Sequence, residues 1–351
     1  MSIDQSTGIR PGEELNLDNL KLYLNQHLPE LNGEIKLEQF PSGYSNLTYF
    51  LQVGNQELVL RRPPFGANIK GGHDMEREFR VLSALEPFYP KVPHPIHFCG
   101  DEEVLGAPFY LMRRVRGIIL RNRPPKGLEL GPELMRKISL SAVDTLAELH
   151  SLDLDHTGLR QLGKPEGYMQ RQVIGWIERY YRAETDDIQH MHEISNWLKT
   201  NMPRVEYTAF IHNDFKYDNL VLSASQPEKV IAVLDWEMAT VGDPFMDLGT
   251  TLAYWCEAND PDALKPFNLT WLPDNLTRAE VIEHYAEKRG TQIPDMLFYY
   301  VFGAFKIGVI VQQIYARYKK GLTSDPRFAG LIYVLKACAN NAVAAIERGR
   351  V

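Results

Sequence analysis

The sequence predicts an α+β chain of two lobes: a small N-terminal lobe, 1–113, built on an antiparallel five-stranded sheet, and a larger, mainly α-helical lobe, 114–351. Three observations lead there. At 351 residues the chain exceeds one minimal domain, on a prior of roughly 150 residues per domain. Its first third carries short β-prone runs with alternating apolar residues. Beyond Gly117 the apolar period becomes helical.

The elements follow in order. Leu17, Leu20, Leu24 and Leu28 recur three or four residues apart, which predicts an amphipathic helix over 14–28. EIKLEQF (34–40), LTYFLQV (47–53) and ELVLRR (57–62) read as an antiparallel meander, joined by PSGYSN and by a short GNQ turn. A helix is expected from His73 to Leu85, with Phe79, Leu82 and Leu85 on one face. Strands over 95–101 and 108–115 complete the sheet. In the second lobe helices are expected over 134–152, 169–183, 190–201, 277–290, 294–320 and 325–348. Two strand-like runs, 210–222 and 229–239, interrupt them.

Composition narrows the function classes. The chain is 44% hydrophobic and 24% charged, as ordinary globular proteins are. A net charge of -7 argues against general nucleic-acid binding, which needs a basic face to neutralise phosphates. Cys99, Cys256 and Cys338 are odd in number and far apart, which fits neither a disulfide framework nor a zinc site. The N-terminus has no basic and apolar leader pattern, so the cytoplasm is the expected location. The most apolar stretch, Leu297–Val311, contains Lys306 and is shorter than the ~20 apolar residues of a membrane span, so a core helix is expected there.

Chemistry concentrates in the strand-like island. In HNDFKYDN (212–219) a carboxylate, Asp214, stands five residues before a carboxamide, Asn219. Asp235 follows the apolar run VIAVL, at a strand end that a hairpin would bring near the first carboxylate. Phosphoryl transfer from ATP requires an acceptor for a hydroxyl proton and hard oxygen ligands for Mg²⁺. Asp214 suits the first role, and Asn219 and Asp235 the second.

HNDFKYDN and LDWEMATVGDPFMDLG resemble the H-G-D-x-x-x-x-N and D-W-E-x-x-x-x-G-D-P-x-x-D-L signatures of the aminoglycoside phosphotransferase (choline kinase-like) superfamily. LVLRRPP (58–64), HDMEREFRVLSAL (73–85), YLMRRVRG (110–117) and FYYVFGAFKIGVIVQQIYARY (298–318) are similar to the branch found with acyl-CoA dehydrogenases. The resemblance implies a bilobal, protein-kinase-like fold and transfer from ATP, with Mg²⁺, to a hydroxyl of a small molecule. It also implies roles for individual residues. His212 would orient the catalytic loop, Asp214 would accept or align the hydroxyl proton, and Lys216 would lie near the transferring phosphate. Asp235 and Asn219 would hold Mg²⁺. Gly43, Ser45 and Asn46 in PSGYSNLTY would let backbone N–H groups approach phosphates. Arg61 stands where related enzymes commonly have a phosphate-binding lysine, with Glu78 as its expected partner. Backbone groups of Arg113 and Val115 would meet adenine.

Other polar residues draw plainer readings. Gly242 and Asp247 are expected to brace the loop after the metal site, and Glu237 either to support the metal or to brace the loop. His150 and His156 are expected to cap helix carbonyls. Arg62 and Arg121 read as surface charges. Residues 251–351 hold 10 acidic against 12 basic side chains, no surplus of the kind a polycationic antibiotic would favour, which is compatible with an anionic acceptor such as a hydroxyacyl-CoA. The alternative class is a nucleotide-binding regulator without transfer activity, supported by Arg61 in place of lysine. A protein kinase is disfavoured, because DWE runs directly into GDPFMDLG with no long segment to dock a peptide.

Overall fold

The computed structural model describes residues 4–41, 46–65, 74–323 and 325–351. They pack as two units. One comprises the described residues up to Ile118 together with Ile231–Glu237, the other Ile119–Val230 with Met238–Val351.

The first unit is the sheet. Helix α1 (Leu17–His27) starts where the Asn16 side chain accepts the Asn19 N–H at 3.0 Å. Leu20 and Leu24 are buried, whereas Leu17 in the opening turn is 45% exposed, so the apolar stripe is shorter than its sequence spacing suggests. Strands β1 (Ile35–Gln39), β2 (Leu47–Val53) and β3 (Gln56–Arg62) form the meander. Gly54 turns β2 into β3 at φ +56°, where a Cβ would strike the Asn32 carbonyl. Helix α2 (Met75–Leu85), capped by Asp74, precedes β4 (Pro95–Cys99), the short α3 (Glu102–Leu105) and β5 (Phe109–Arg113). The strands lie in the order β1-β2-β3-β5-β4, and all neighbours are antiparallel. Leu24, Leu28, Tyr49, Leu51, Leu60 and Leu111 belong to one apolar core on the face that α1 covers. Arg62 is no surface charge. It is 1% exposed, donates to the Leu105 carbonyl at 2.8 Å and stacks on Phe65.

The second unit is mainly helical. Helices α4 (Pro132–His150), α5 (Tyr168–Ala183) and α6 (Gln189–Thr200) lead to the island. There β6 (Ala209–Ile211) is followed by the HNDFKYDN loop, a 3₁₀ turn over Tyr217–Asn219 and β7 (Leu220–Leu222). The Ser223 N–H bonds the Lys229 carbonyl at 2.9 Å and closes the turn into β8 (Val230–Val233), along which the chain leaves this unit. It returns at β9 (Thr240–Gly242), which pairs antiparallel with β6. Thus the expected long strands are short ones, divided by the loops that carry the polar residues.

GDPFMDLG is not a loop throughout. Helix α7 (Pro244–Tyr254) begins within it, with Asp243 as the N-cap accepting the Phe245 N–H at 2.8 Å and Pro244 in the first turn. Helices α8 (Arg278–Arg289), α9 (Leu297–Lys319) and α10 (Leu331–Arg348) complete the unit, a 3₁₀ turn over Pro326–Gly330 replacing the expected start of the last. Helix α9 and the stretch Pro326–Arg348 are each long and apolar enough to cross a membrane by length and composition, beyond what the shorter expected stretch allowed. In α9, 78% of the apolar window is buried within the protein, as a core helix requires.

Helices α7 and α9 touch backbone to backbone. A Cβ on Gly249 would collide with the Tyr299 carbonyl, and one on Gly303 with the Gly249 carbonyl. Gly249→Ala is therefore expected to lower stability by about 3 kcal/mol through overpacking. Gly175→Ala in α5, where the nearest atom to a new Cβ is 3.9 Å away, is expected to raise it by about 0.5–1 kcal/mol. Urea unfolding of both variants, read as opposite shifts in midpoint, checks the pair.

Candidate active site

The HNDFKYDN loop is held from below by one carboxylate. Asp247 in α7 is fully buried and accepts the backbone N–H groups of His212 at 2.7 Å and Asn213 at 2.8 Å, and the His150 ring at 3.1 Å. Burial would push its pKa up, but the hydrogen bond from His150, the nearby His212 and the backbone N–H together hold it below the ordinary carboxylate value. His150 does not cap its helix. Because Asp247 only accepts, Nε2–H of His150 must donate to it, and Nδ1 then accepts from the Tyr285 hydroxyl at 2.7 Å.

His212 is buried, and its Nδ1 accepts the Asp214 N–H at 3.2 Å, which requires the ring proton to sit on Nε2. Asn213 between them adopts φ +68°, a left-handed conformation that asparagine tolerates better than most residues. The Asp214 Oδ2 then receives Lys216 Nζ at 2.8 Å and the Asn219 side-chain N–H at 3.0 Å, and Asn219 also donates to the Asp214 carbonyl at 2.8 Å. Sequence reading missed Tyr254, whose ring lies 4.8 Å from Lys216 Nζ. Burial alone would lower the Lys216 pKa; the Asp214 charge outweighs it, so the ammonium is held protonated. Arg121, about 29% exposed, pairs with Asp218 at 3.1 Å and braces the same loop. Gly242 is required beside it, since a Cβ there would strike Ile211 and Tyr168.

In the sheet unit, Arg61 lies opposite Thr48 on β2 and Tyr110 on β5. Its guanidinium meets Glu78 at 3.2 Å and Asp235 at 2.5 Å, with Glu237 at 3.8 Å. Burial would lower the Arg61 pKa, but these carboxylates hold it well above its ordinary value. Glu78 is 1% exposed, and burial pushes its carboxyl up despite the pairing. The segment carrying Asp235 is tied to this unit by the Val233 N–H on the Lys91 carbonyl at 2.7 Å, by Arg77 on the Glu237 carbonyl at 2.8 Å, and by Tyr89 edge-on to Trp236. Asp235 itself has φ +66°. Asn46 donates to Glu237 at 2.8 Å. Gly43 and Ser45 lie outside the described residues. The Arg113 N–H is bound to the His94 carbonyl at 2.8 Å, so what Arg113 would offer adenine is its carbonyl; Val115 follows in the half-buried stretch beyond β5.

In the sheet unit Asp235 and Glu237 are carboxylates about a quarter exposed, and in the helical unit Asn219, with its NH₂ committed to Asp214, presents an amide oxygen. Each taken by itself is a hard oxygen donor of the kind Mg²⁺ selects.

A five-stranded antiparallel unit followed by a helical unit with this loop defines the kinase-like phosphotransferase class. The chain belongs to the phosphotransferase enzyme family, whose model matches residues 36–282. It is 35% identical over 335 residues to acyl-CoA dehydrogenase family member 11 of Gallus gallus, covering 92% of this chain and 43% of that protein. It is likewise 35% identical to acyl-CoA dehydrogenase family member 10 of Mus musculus, covering 93% of this chain and 30% of that protein. The chain thus spans less than half the length of these relatives. Among solved structures it is similar to a Ralstonia eutropha protein provisionally assigned as an aminoglycoside phosphotransferase, with TM-score 0.78, 29% identity and coverage of 94% and 99% of the two chains. Choline kinase of Cryptosporidium parvum shares the fold, at TM-score 0.65 and 13% identity over 95% and 97%.

Two measurements check the electrostatics. Arg61→Met strands the buried Glu78 carboxyl and is expected to cost about 3–5 kcal/mol, most of it recovered in the double variant with Glu78→Met. Denaturant midpoints read the difference. For His150, burial lowers the pKa below the ordinary ~6.5, so the unfolded chain gains a proton on acidification before the folded chain does. Its contribution is present above pH ~6.5 and is lost as pH falls through the folded value. The slope of stability against pH between about 6.5 and 5 should therefore be smaller in His150→Gln than in wild type.

Proposed function

We propose that this chain is an ATP- and Mg²⁺-dependent kinase that phosphorylates a hydroxyl group of a small molecule. The observation that carries the reading is Asp214: a partly exposed carboxylate on a left-handed loop, oriented by Lys216 and Asn219. A residue needed only for nucleotide binding has no use for such a group. Asp214 aligns the acceptor hydroxyl and receives its proton as the oxygen attacks the γ-phosphorus of ATP and the bond from that phosphorus to the bridging oxygen breaks, releasing ADP. Lys216, held protonated, offsets the negative charge beside the transferring phosphoryl group. Asp235 in the sheet unit and Asn219 in the helical unit would each offer an oxygen ligand to Mg²⁺, which when bound would neutralise phosphate charge. Arg61 offers a forked donor where a lysine is usual.

For the acceptor, the reading favours an anionic molecule such as a hydroxyacyl-CoA. The charge balance of residues 251–351 and the names of the relatives that carry a matching stretch support it. One observation favours a second reading, a nucleotide-binding regulator: Arg61 already bonds Asp235, the expected metal ligand.

Coupled ADP release with Mg-ATP separates these readings. The acceptors are aminoglycosides, choline-like alcohols, sugars and hydroxyacyl-CoAs, each with wild type and Asp214→Ala. Acceptor-stimulated release that falls about 10²–10⁴-fold in Asp214→Ala is expected. Stimulation by aminoglycosides and none by hydroxyacyl thioesters would overturn the acceptor class. Nucleotide binding with no acceptor-dependent difference between the two proteins would favour the regulator.

A further inference from the structure

We infer that Lys306 is a positioning residue: from the middle of α9 it fastens the carbonyl of Asn213 and thereby sets the peptide from which the Asp214 side chain departs. The inference rests on the reading of Asp214 given above, and its residue lies outside the signature motifs that point to the site.

Lys306 is 2% exposed, and its Nζ donates to the Asn213 carbonyl at 2.6 Å. A buried ammonium directed at a main-chain carbonyl, instead of a carboxylate, is costly to keep unless the contact has a use. Burial lowers its pKa to about 8, with the Asp247 and Asp214 charges pulling the other way and those of Lys216 and Arg179 adding to the fall. The Trp176 ring lies 5.7 Å from the amine.

What it holds is a residue gripped at every polar group. The Asn213 N–H goes to Asp247 at 2.8 Å and its carbonyl to Lys306 at 2.6 Å. Its side chain accepts from Tyr168 at 3.1 Å and donates to the Met238 carbonyl at 3.0 Å. The peptide joining Asn213 to Asp214 is fixed at both ends, its oxygen by Lys306 and its N–H by His212 Nδ1 at 3.2 Å. Rotation of that peptide would swing Asp214 away from Lys216 and Asn219.

The two charges are set in register by the glycine contact between α7 and α9. Asp247 lies two residues before Gly249, and Lys306 three residues after Gly303, whose added Cβ would strike the Gly249 carbonyl. With the helices in backbone contact, the anion meets the loop's N–H groups while the cation meets its carbonyl. Neither helix can slide without releasing one of them.

The test compares Lys306→Met with Val309→Ala, a cavity variant at a buried apolar position in the same helix, which has no polar group to offer the loop and serves as the control for lost stability. Amide hydrogen exchange on the nucleotide-free protein is expected to show His212, Asn213 and Asp214 exchanging about 10-fold faster or more in Lys306→Met than in the control. With whichever acceptor stimulates ADP release in the wild type, kcat should fall about 100-fold while KM for ATP stays within about twofold. Lys306→Arg, which keeps the charge and the donor, should recover part of kcat. Equal exchange in Lys306→Met and Val309→Ala, or a kcat loss no larger than the control's, overturns the inference. If Lys306→Met does not fold, Lys306→Gln is read in the same two ways. Should wild type show no acceptor-dependent turnover, the kinase reading fails, and the exchange comparison still decides whether Lys306 holds the loop.

Discussion

The buried Asp247 carboxylate is the constraint on which the catalytic loop depends. Two consecutive backbone N–H groups, on His212 and Asn213, converge on it, and a neutral histidine from α4 supplies a further donor. Consecutive N–H groups can point the same way only if the chain leaves regular structure, and the φ of +68° at Asn213 is how it does so. The strain is then over-determined by packing, since the side chain of Asn213 and its carbonyl are both bound. Asp214 inherits its direction from this arrangement.

The sheet unit solves a related problem with opposite means. There a cation, Arg61, is buried among carboxylates from α2 and from the returning segment 231–237. Burying one such charge alone would be prohibitive, and it is the set that is tolerable. Asp235, at φ +66°, is held in a conformation that places its carboxylate on Arg61. Each unit thus contains a left-handed residue at or next to a carboxylate assigned to chemistry, and in each the local strain is secured by charged partners distant in sequence.

Much of this was legible from the chain. Alternation located β2 to the residue, and the six long helices of the second lobe were found, five of them ending within three residues of their expected bounds. The spacing of Asp214 and Asn219 could be read because five residues of one loop separate them, and the placing of Glu78 beside Arg61 because the family resemblance implied it. Helix α7 was not legible, because Gly, Asp and Pro open it as they open turns, and because it is buried on nearly all sides and has no polar stripe to give a period.

The sequence by itself determined the sheet strands, most of the long helices and the residues of the polar loop, since these follow from local propensity and motif spacing. Only the tertiary structure decided that His150 serves Asp247 and not its own helix end, that Arg62 is interior, and that Tyr254 and Lys306 reach the loop from α7 and α9. The physical reason is common to all four. Each side chain meets a partner 38 to 97 residues away, in a place set by helix packing, and nothing in its immediate sequence records the distance that packing closes.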